Sequence, residues 1–142
     1  MNDNDLIIGV FRVTRLHGRL FHSILDSSGA DGNMHDGLIL HMLSEEDGIA
    51  QKELARRMHI RPQSLTGALE KLEKDGFIER HRSETDKREQ IVYITDSGLE
   101  REKLQAKVRD KTVKKLFAVL DAEEKKELYR LLDKVASQDL GL

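Results

Sequence analysis

Apolar residues recur along most of this chain at three- and four-residue steps, and only one stretch alternates instead. Leu6, Ile7, Val10, Phe11, Thr14, His17, Phe21, Ile24 and Leu25 fall on one side of an N-terminal helix. Asp26-Ser27-Ser28-Gly29-Ala30-Asp31-Gly32-Asn33 has the composition of a loop. Met34 to Glu45 reads as a second helix, with Leu38, Ile39, Met42 and Leu43 apolar. A short helix over Gln51–Met58 places Leu54, Ala55 and Met58 on one face and Arg56 and Arg57 on the other. His59 suits a left-handed turn. Pro62 suits the first position of the next helix, where a missing N–H costs nothing. Leu65, Ala68, Leu69 and Leu72 then form an inward stripe. Gln63, Ser64, Thr66, Gly67, Glu70, Lys71 and Lys74 face outward, and Gly76 closes the helix.

From Phe77 the period changes to two. Phe77–Arg82 alternates with Ile78 inward, and Glu89–Thr95 alternates with Val92 and Ile94 inward. Ser83-Glu84-Thr85-Asp86-Lys87-Arg88 is a polar tip that joins them as a hairpin. Thr95-Asp96-Ser97-Gly98 caps a long helix expected from Asp96 to about Leu120, with a stripe through Leu99, Leu104, Val108, Leu116, Phe117 and Leu120. Asp121, with Glu124 three residues on, makes a capping box for a last helix whose apolar face is Leu128, Leu131, Leu132 and Val135.

Helix, turn, helix and two-stranded ribbon, in that order, are the plan of a winged helix-turn-helix. Such a unit lays one helix in a major groove of double-stranded DNA. The expected class is mainly α with a small β-hairpin wing. The 142 residues fit one domain, with a winged core over 34–98 flanked by helical segments 1–33 and 99–142. The terminal helices cannot bury their stripes alone. They pack on the winged core of the same chain or pair with the same helices of a second copy. The second reading is preferred, because a two-fold dimer matches a palindromic, inverted-repeat operator.

The net charge of −2 looks unsuited to DNA. Its distribution alters that picture: between Leu54 and Leu69 stand Arg56, Arg57 and Arg61 with no acid. The hairpin adds Arg80, Arg82, Lys87 and Arg88 against Glu84, Asp86 and Glu89. DNA responds to the local field within about one Debye length, ~10 Å, rather than to the total. The candidate DNA contacts are Arg56, Arg57, Arg61, Gln63, Ser64, Thr66, Lys71, Arg80, Arg82, Asp86, Lys87 and Arg88. Gln63 can read adenine N6 and N7, and Arg61 can reach guanine or phosphate. The N-terminal end of their helix carries free N–H groups that can hold a phosphate.

The run from Gln51 to Gly98 resembles the DNA-binding core of the MarR family of transcription regulators. The most specific residues are Asp86-Lys87-Arg88 at the wing tip and Ile94-Thr95-Asp96-Ser97-Gly98 after the wing. Leu54-Ala55, Ser64-Leu65-Thr66 and Leu72-Glu73-Lys74-Asp75-Gly76 stand at matching intervals. The resemblance implies a dimeric regulator, here expected to be a ligand-responsive repressor. It implies that Arg88 enters the adjacent minor groove while Asp86 fixes its pose. It also implies a small aromatic or anionic effector between the terminal helices and the winged core. The matching faces here lie near His17, Phe21, His22 and His41, although plain core packing accounts for them equally. Two positions depart from the family. Gly67 stands where an arginine or another polar residue is frequent, and His59 where glycine is frequent.

Rival chemistries find little support. The chain has no cysteine, which excludes disulfides, thiol redox sensing and cysteine–zinc sites. Six histidines (His17, His22, His35, His41, His59, His81) match no metal-ligand spacing, so no metal and no cofactor is expected. Glu45-Glu46-Asp47 reads as a solvated surface run. No phosphate-binding glycine loop and no Gly-x-Ser-x-Gly elbow occurs, so no catalytic residue is assigned. No apolar run approaches 18 residues, and Met1-Asn2-Asp3-Asn4-Asp5 is acidic where a signal peptide is basic. The expected location is the cytoplasm. The alternative from another class is a winged-helix protein-interaction module that does not bind DNA.

Overall fold

The computed structural model describes all 142 residues. Helix α1 (Asp3–Ser28) starts at a capping box between Asn2 and Asp5 and ends at Gly29, which is left-handed at φ 72°. Asp26, Ser27 and Ser28 are therefore helical, not loop. The hydroxyls of Ser27 and Ser28 turn back onto the carbonyls of Ile24 and Leu25, at 2.9 and 2.8 Å. That bonding removes the competition that made these serines look like loop residues.

Helix α2 (Met34–Glu45) follows, then a strand too short to show alternation, β1 (Ile49–Ala50). Next come α3 (Gln51–Met58), α4 (Pro62–Lys74), β2 (Ile78–Arg82) and β3 (Gln90–Ile94). The wing hairpin β2–β3 thus belongs to a three-stranded antiparallel sheet, ordered β1-β3-β2, with β3 central, and is not a lone ribbon. Ile49 pairs with Val92 on one side of β3 and Arg80 pairs with Val92 on the other. The Asp47 carboxylate accepts from the Ile94 N–H at 2.9 Å, so part of the acidic run pins a strand.

One apolar cluster joins α2, α3, α4 and the sheet: Ile39, Leu40, Leu43, Ile49, Leu54, Ala55, Leu65, Leu69, Leu72, Ile78 and Val92. Each fully buried leucine in it contributes about 1.5–3 kcal/mol of transfer free energy. That cluster fixes the angle between α3 and α4. A smaller cluster of Phe21, Leu25 and Val108 ties α1 to the long helix α5 (Asp96–Leu116).

The start of α5 sits against the base of the wing. Thr95 caps it, and a Cβ on buried Gly98 would collide with the Phe77 carbonyl. The helix ends at Leu116, earlier than the expected Leu120, because residues 117–120 form a turn before Asp121 caps α6 (Ala122–Ala136). The inward face of α5 also differs from the apolar stripe. Gly98, Glu102, Gln105, Val108 and Thr112 are buried, while Leu99 and Leu104 are exposed. Polar groups hold this face: Glu102 bonds Arg109 and His41, and Gln105 donates to the Asp31 carbonyl at 3.1 Å.

The apolar face of α6 is left largely open, with only Leu128 half-buried. No residue of α6 is buried, and Leu131, Leu132 and Val135 are exposed. The N-terminal half of α1 is similar, with Leu6, Ile7, Ile8, Val10, Phe11, Val13 and Leu16 all more than half exposed. No helix is long and apolar enough to cross a membrane.

Candidate nucleic-acid interface

The turn between α3 and α4 is built by local chemistry. His59 adopts φ 52° and ψ 41°, and it is the one non-glycine residue with positive φ. The following N–H, of Ile60, reaches back to the Ala55 carbonyl, which closes α3 with a left-handed cap. Arg61 is extended at φ −67° and ψ 142°, as the residue before a proline prefers, and Pro62 opens α4. Leu65, Leu69 and Leu72 anchor α4 from within. Arg61, Gln63, Ser64, Gly67, Glu70, Lys71 and Lys74 are left exposed. Arg61 makes no side-chain cap to the first turn.

The basic residues of α3 are less free than their spacing suggests. Glu53 lies one turn before both arginines. It accepts from Arg56 at 2.6 and 2.9 Å and from Arg57 at 3.0 Å. Glu46, outside the window that held no acid, takes Arg57 at 2.7 Å. These guanidinium hydrogen bonds lower the Glu53 pKa to about 2. They also raise the pKa of Arg56 and Arg57. The i,i+3 and i,i+4 spacing of Glu53 could have signalled this pairing. The contact from Glu46 comes from the preceding loop, and spacing does not reveal it.

On the wing, Arg80 turns inward to the end of α4. Its guanidinium reaches Glu73 at 3.0 Å and its backbone N–H reaches the same carboxylate at 3.1 Å. With its side chain only 18% exposed, Arg80 ties the wing to α4. The first cause of the lowered Glu73 pKa is this side-chain bond. Lys71 stands 3.7 Å from buried Asp36 of α2, so α4 is held from that side too. Arg82 and Lys87 are exposed, without an ion pair.

The wing tip is a compact set of side-chain-to-backbone bonds. Ser83 accepts from the N–H groups of Thr85 and Asp86, and Glu89 donates its N–H to the Asp86 carbonyl. The Asp86 carboxylate accepts from the Arg88 N–H at 3.0 Å and from Arg88 Nε at 3.4 Å. The Arg88 side chain is 92% exposed. It projects from the tip with its base fixed by the aspartate.

The candidate effector residues do not converge on an enclosed cavity. Phe21 is fully buried against Leu25 and Val108, with His17 and His22 flanking its ring at 6.3 and 5.7 Å. His22 borders a shallow surface depression with Arg15, Arg19 and Asp26. His41 sits on α2 and contacts Glu102 and Arg109 of α5 at 3.1 and 3.3 Å. No group of three or more His, Asp or Glu is placed to hold a metal ion.

The MarR family model matches residues 33–90. The transcriptional regulator TtmR of Methylorubrum extorquens is 30% identical over 96 residues, 68% of this chain. The match spans about half of that relative, 48% of its length. The regulator YwhA of Bacillus subtilis is 30% identical over 100 residues, which cover 70% of this chain and 72% of YwhA. Among solved structures, the PcaV transcriptional regulator of Streptomyces coelicolor, in complex with its natural ligand, superposes with a TM-score of 0.81. That superposition covers 89% of this chain and 88% of PcaV at 19% identity, a likeness of fold. The mainly helical architecture, the small antiparallel sheet and these relatives agree: the chain belongs to the MarR family.

Proposed function

We propose that this protein is a cytoplasmic transcription regulator that binds an inverted-repeat operator in double-stranded DNA as a homodimer and acts as a ligand-responsive repressor. One observation supports this reading above the others. Helix α4 leaves its N-terminal polar face open to solvent, and a wing tip carrying a nearly fully exposed Arg88 lies on the same winged core. In this reading Arg61, Gln63, Ser64 and Thr66 meet the major groove. Arg82, Lys87 and Arg88 meet the flanking backbone and minor groove. Arg56, Arg57 and Lys71 add charge that Glu53, Glu46 and Asp36 partly offset, and Arg80 and Asp86 hold the wing in shape.

The dimer reading draws on the unpartnered apolar faces of α1 and α6, with Leu104 of α5 between them in the chain. A stable interface of this kind buries more than ~1,000 Å². The effector reading is supported by PcaV, a protein of the same fold solved with its natural ligand. In this chain the polar set of His41, Glu102 and Arg109, and the surface beside His22, supply the hydrogen-bond groups such a ligand needs. Selection from a random duplex pool, followed by binding titrations at several salt concentrations, tests the reading. Enrichment of an inverted repeat with half-sites about 10 bp apart supports it. Capture of a protein partner with no duplex enriched favours an interaction module instead.

A further inference from the structure

Two features are unfavourable for folding, one on the outward face of α4 and one beside it on α3. The first is Gly67. It sits mid-helix, exposed, one turn beyond Gln63, and a Cβ there would meet nothing within 4 Å. A glycine in a helix interior lowers stability relative to alanine. Here neither a close neighbour nor a positive φ requires it. The second is Gln51, the first residue of α3. Its Nε2 donates to the Thr66 hydroxyl at 3.0 Å, while its Oε1 is buried without a partner. An orphaned buried acceptor is uncommon in folded proteins and opposes folding. Departures from local rules of this kind gather where function is served.

Both features bear on how Thr66 meets a ligand. The Thr66 hydroxyl donates its single proton to the Pro62 carbonyl at 2.9 Å and accepts from Gln51. A hydroxyl has one proton to give, so Thr66 has none left for a base. Turning the Gln51 amide over does not release it, since the proton then goes to Gln51 Oε1 or stays on Pro62. With its proton given to its own helix and one of its two lone pairs taken by α3, half-buried Thr66 can offer a base its γ-methyl and one remaining lone pair. Beside it, Gly67 has no side chain to keep the helix away from the groove floor.

We infer that Thr66 reads a thymine through methyl–methyl contact, with Gln51 as the positioning residue and Gly67 as the point of close approach. The major groove offers one apolar base mark, the 5-methyl of thymine, and a threonine methyl is a suitable partner for it. This inference rests on the DNA-binding reading above and names a base that α4 selects.

The test replaces each thymine of the pool-selected duplex, one at a time, with 2′-deoxyuridine, which removes only the methyl. At one position per half-site the affinity should fall about 4-fold, the value of one buried methyl group. Thr66→Ser keeps the hydroxyl and loses the methyl, so the thymine-to-uracil ratio at that position should fall to about 1. Thr66→Val keeps a methyl but loses the hydroxyl that Gln51 holds, so it should keep a ratio above 1, reduced as in Gln51→Met. Gln51→Met keeps the chain length but not the donor, and should shrink the ratio, where a purely structural role would lower affinity for both duplexes equally. Gly67→Ala should raise the melting temperature and weaken operator binding. The inference is overturned if no thymine is sensitive to loss of its methyl, if Thr66→Ser keeps the ratio, or if Gly67→Ala binds as tightly as the parent. Failure to bind any duplex overturns the underlying DNA reading instead.

Discussion

The Asp86–Arg88 pair of the wing allows a prediction whose sign separates two physical accounts. In the free protein the pair is exposed, with side chains 42% and 92% accessible and a separation of 3.4 Å. Such a surface pair adds about 0–1 kcal/mol to stability. Arg88→Ala should therefore leave the melting temperature nearly unchanged. If Arg88 enters a narrow minor groove, the same change weakens operator binding by about 1–3 kcal/mol, roughly 5- to 150-fold. It also lowers the salt slope by about 0.9 for each phosphate that is no longer neutralised.

Asp86→Ala separates the accounts. Simple electrostatics predicts tighter binding, because a negative charge leaves the DNA-facing tip. The gain is about 0.4 kcal/mol per half-site at ~10 Å in water, before screening. The structure points the other way. Asp86 holds both the backbone N–H and the Nε of Arg88, and losing it frees a long side chain that must be ordered again on binding. That ordering costs about 0.5–1.5 kcal/mol per side chain, more than the electrostatic gain. Net weakening is expected. Fluorescence anisotropy with a labelled operator at two salt concentrations measures it, with circular dichroism as the check on fold. Tighter binding by Asp86→Ala would refute the positioning role.

Other predictions follow from the same geometry. Leu132→Asp on α6 should raise the dimer dissociation constant at least about 30-fold, the effect of a central interface residue, while far-UV circular dichroism is retained. Light scattering that still finds a dimer would remove α6 from the interface. Gln63→Ala should relax base preference at one position per half-site, which a repeat of the pool selection checks; an unchanged preference removes Gln63 from the reading set. Glu53 ties Arg56 and Arg57 together, and its folded pKa of about 2 lies below the ordinary 4.5. Its contribution to stability is complete above pH 4.5 and is lost as the pH falls through 2. Glu53→Gln should therefore flatten the fall in melting temperature across that window, and an unchanged profile would contradict the pairing.

Much of the winged core was legible in the sequence because short-range rules dominate there. Leu54, Leu65, Leu69 and Leu72 fall at helical spacing, Pro62 suits the first position of a helix, and His59 tolerates the left-handed turn. What was not legible depends on partners distant in sequence. β1 is two residues long, and only its pairing with Ile91 and Val92 makes it a strand. The buried face of α5 carries Glu102 and Gln105, which lie outside the apolar stripe and are partnered there by Arg109, His41 and Asp31. Spacing likewise assigned Arg80 to a strand without revealing Glu73, which turns its guanidinium inward. Periodicity gives the face of an element, but the tertiary partner decides whether a charge on that face remains free.

The central claim is that two copies of this chain present two α4 helices and two wings to one duplex. Analytical ultracentrifugation of the protein mixed with its pool-selected duplex, across a salt series, tests this most directly. The account predicts two chains per duplex carrying an inverted repeat, with affinity falling steeply as salt rises. A single chain per duplex, or affinity independent of salt, would contradict it.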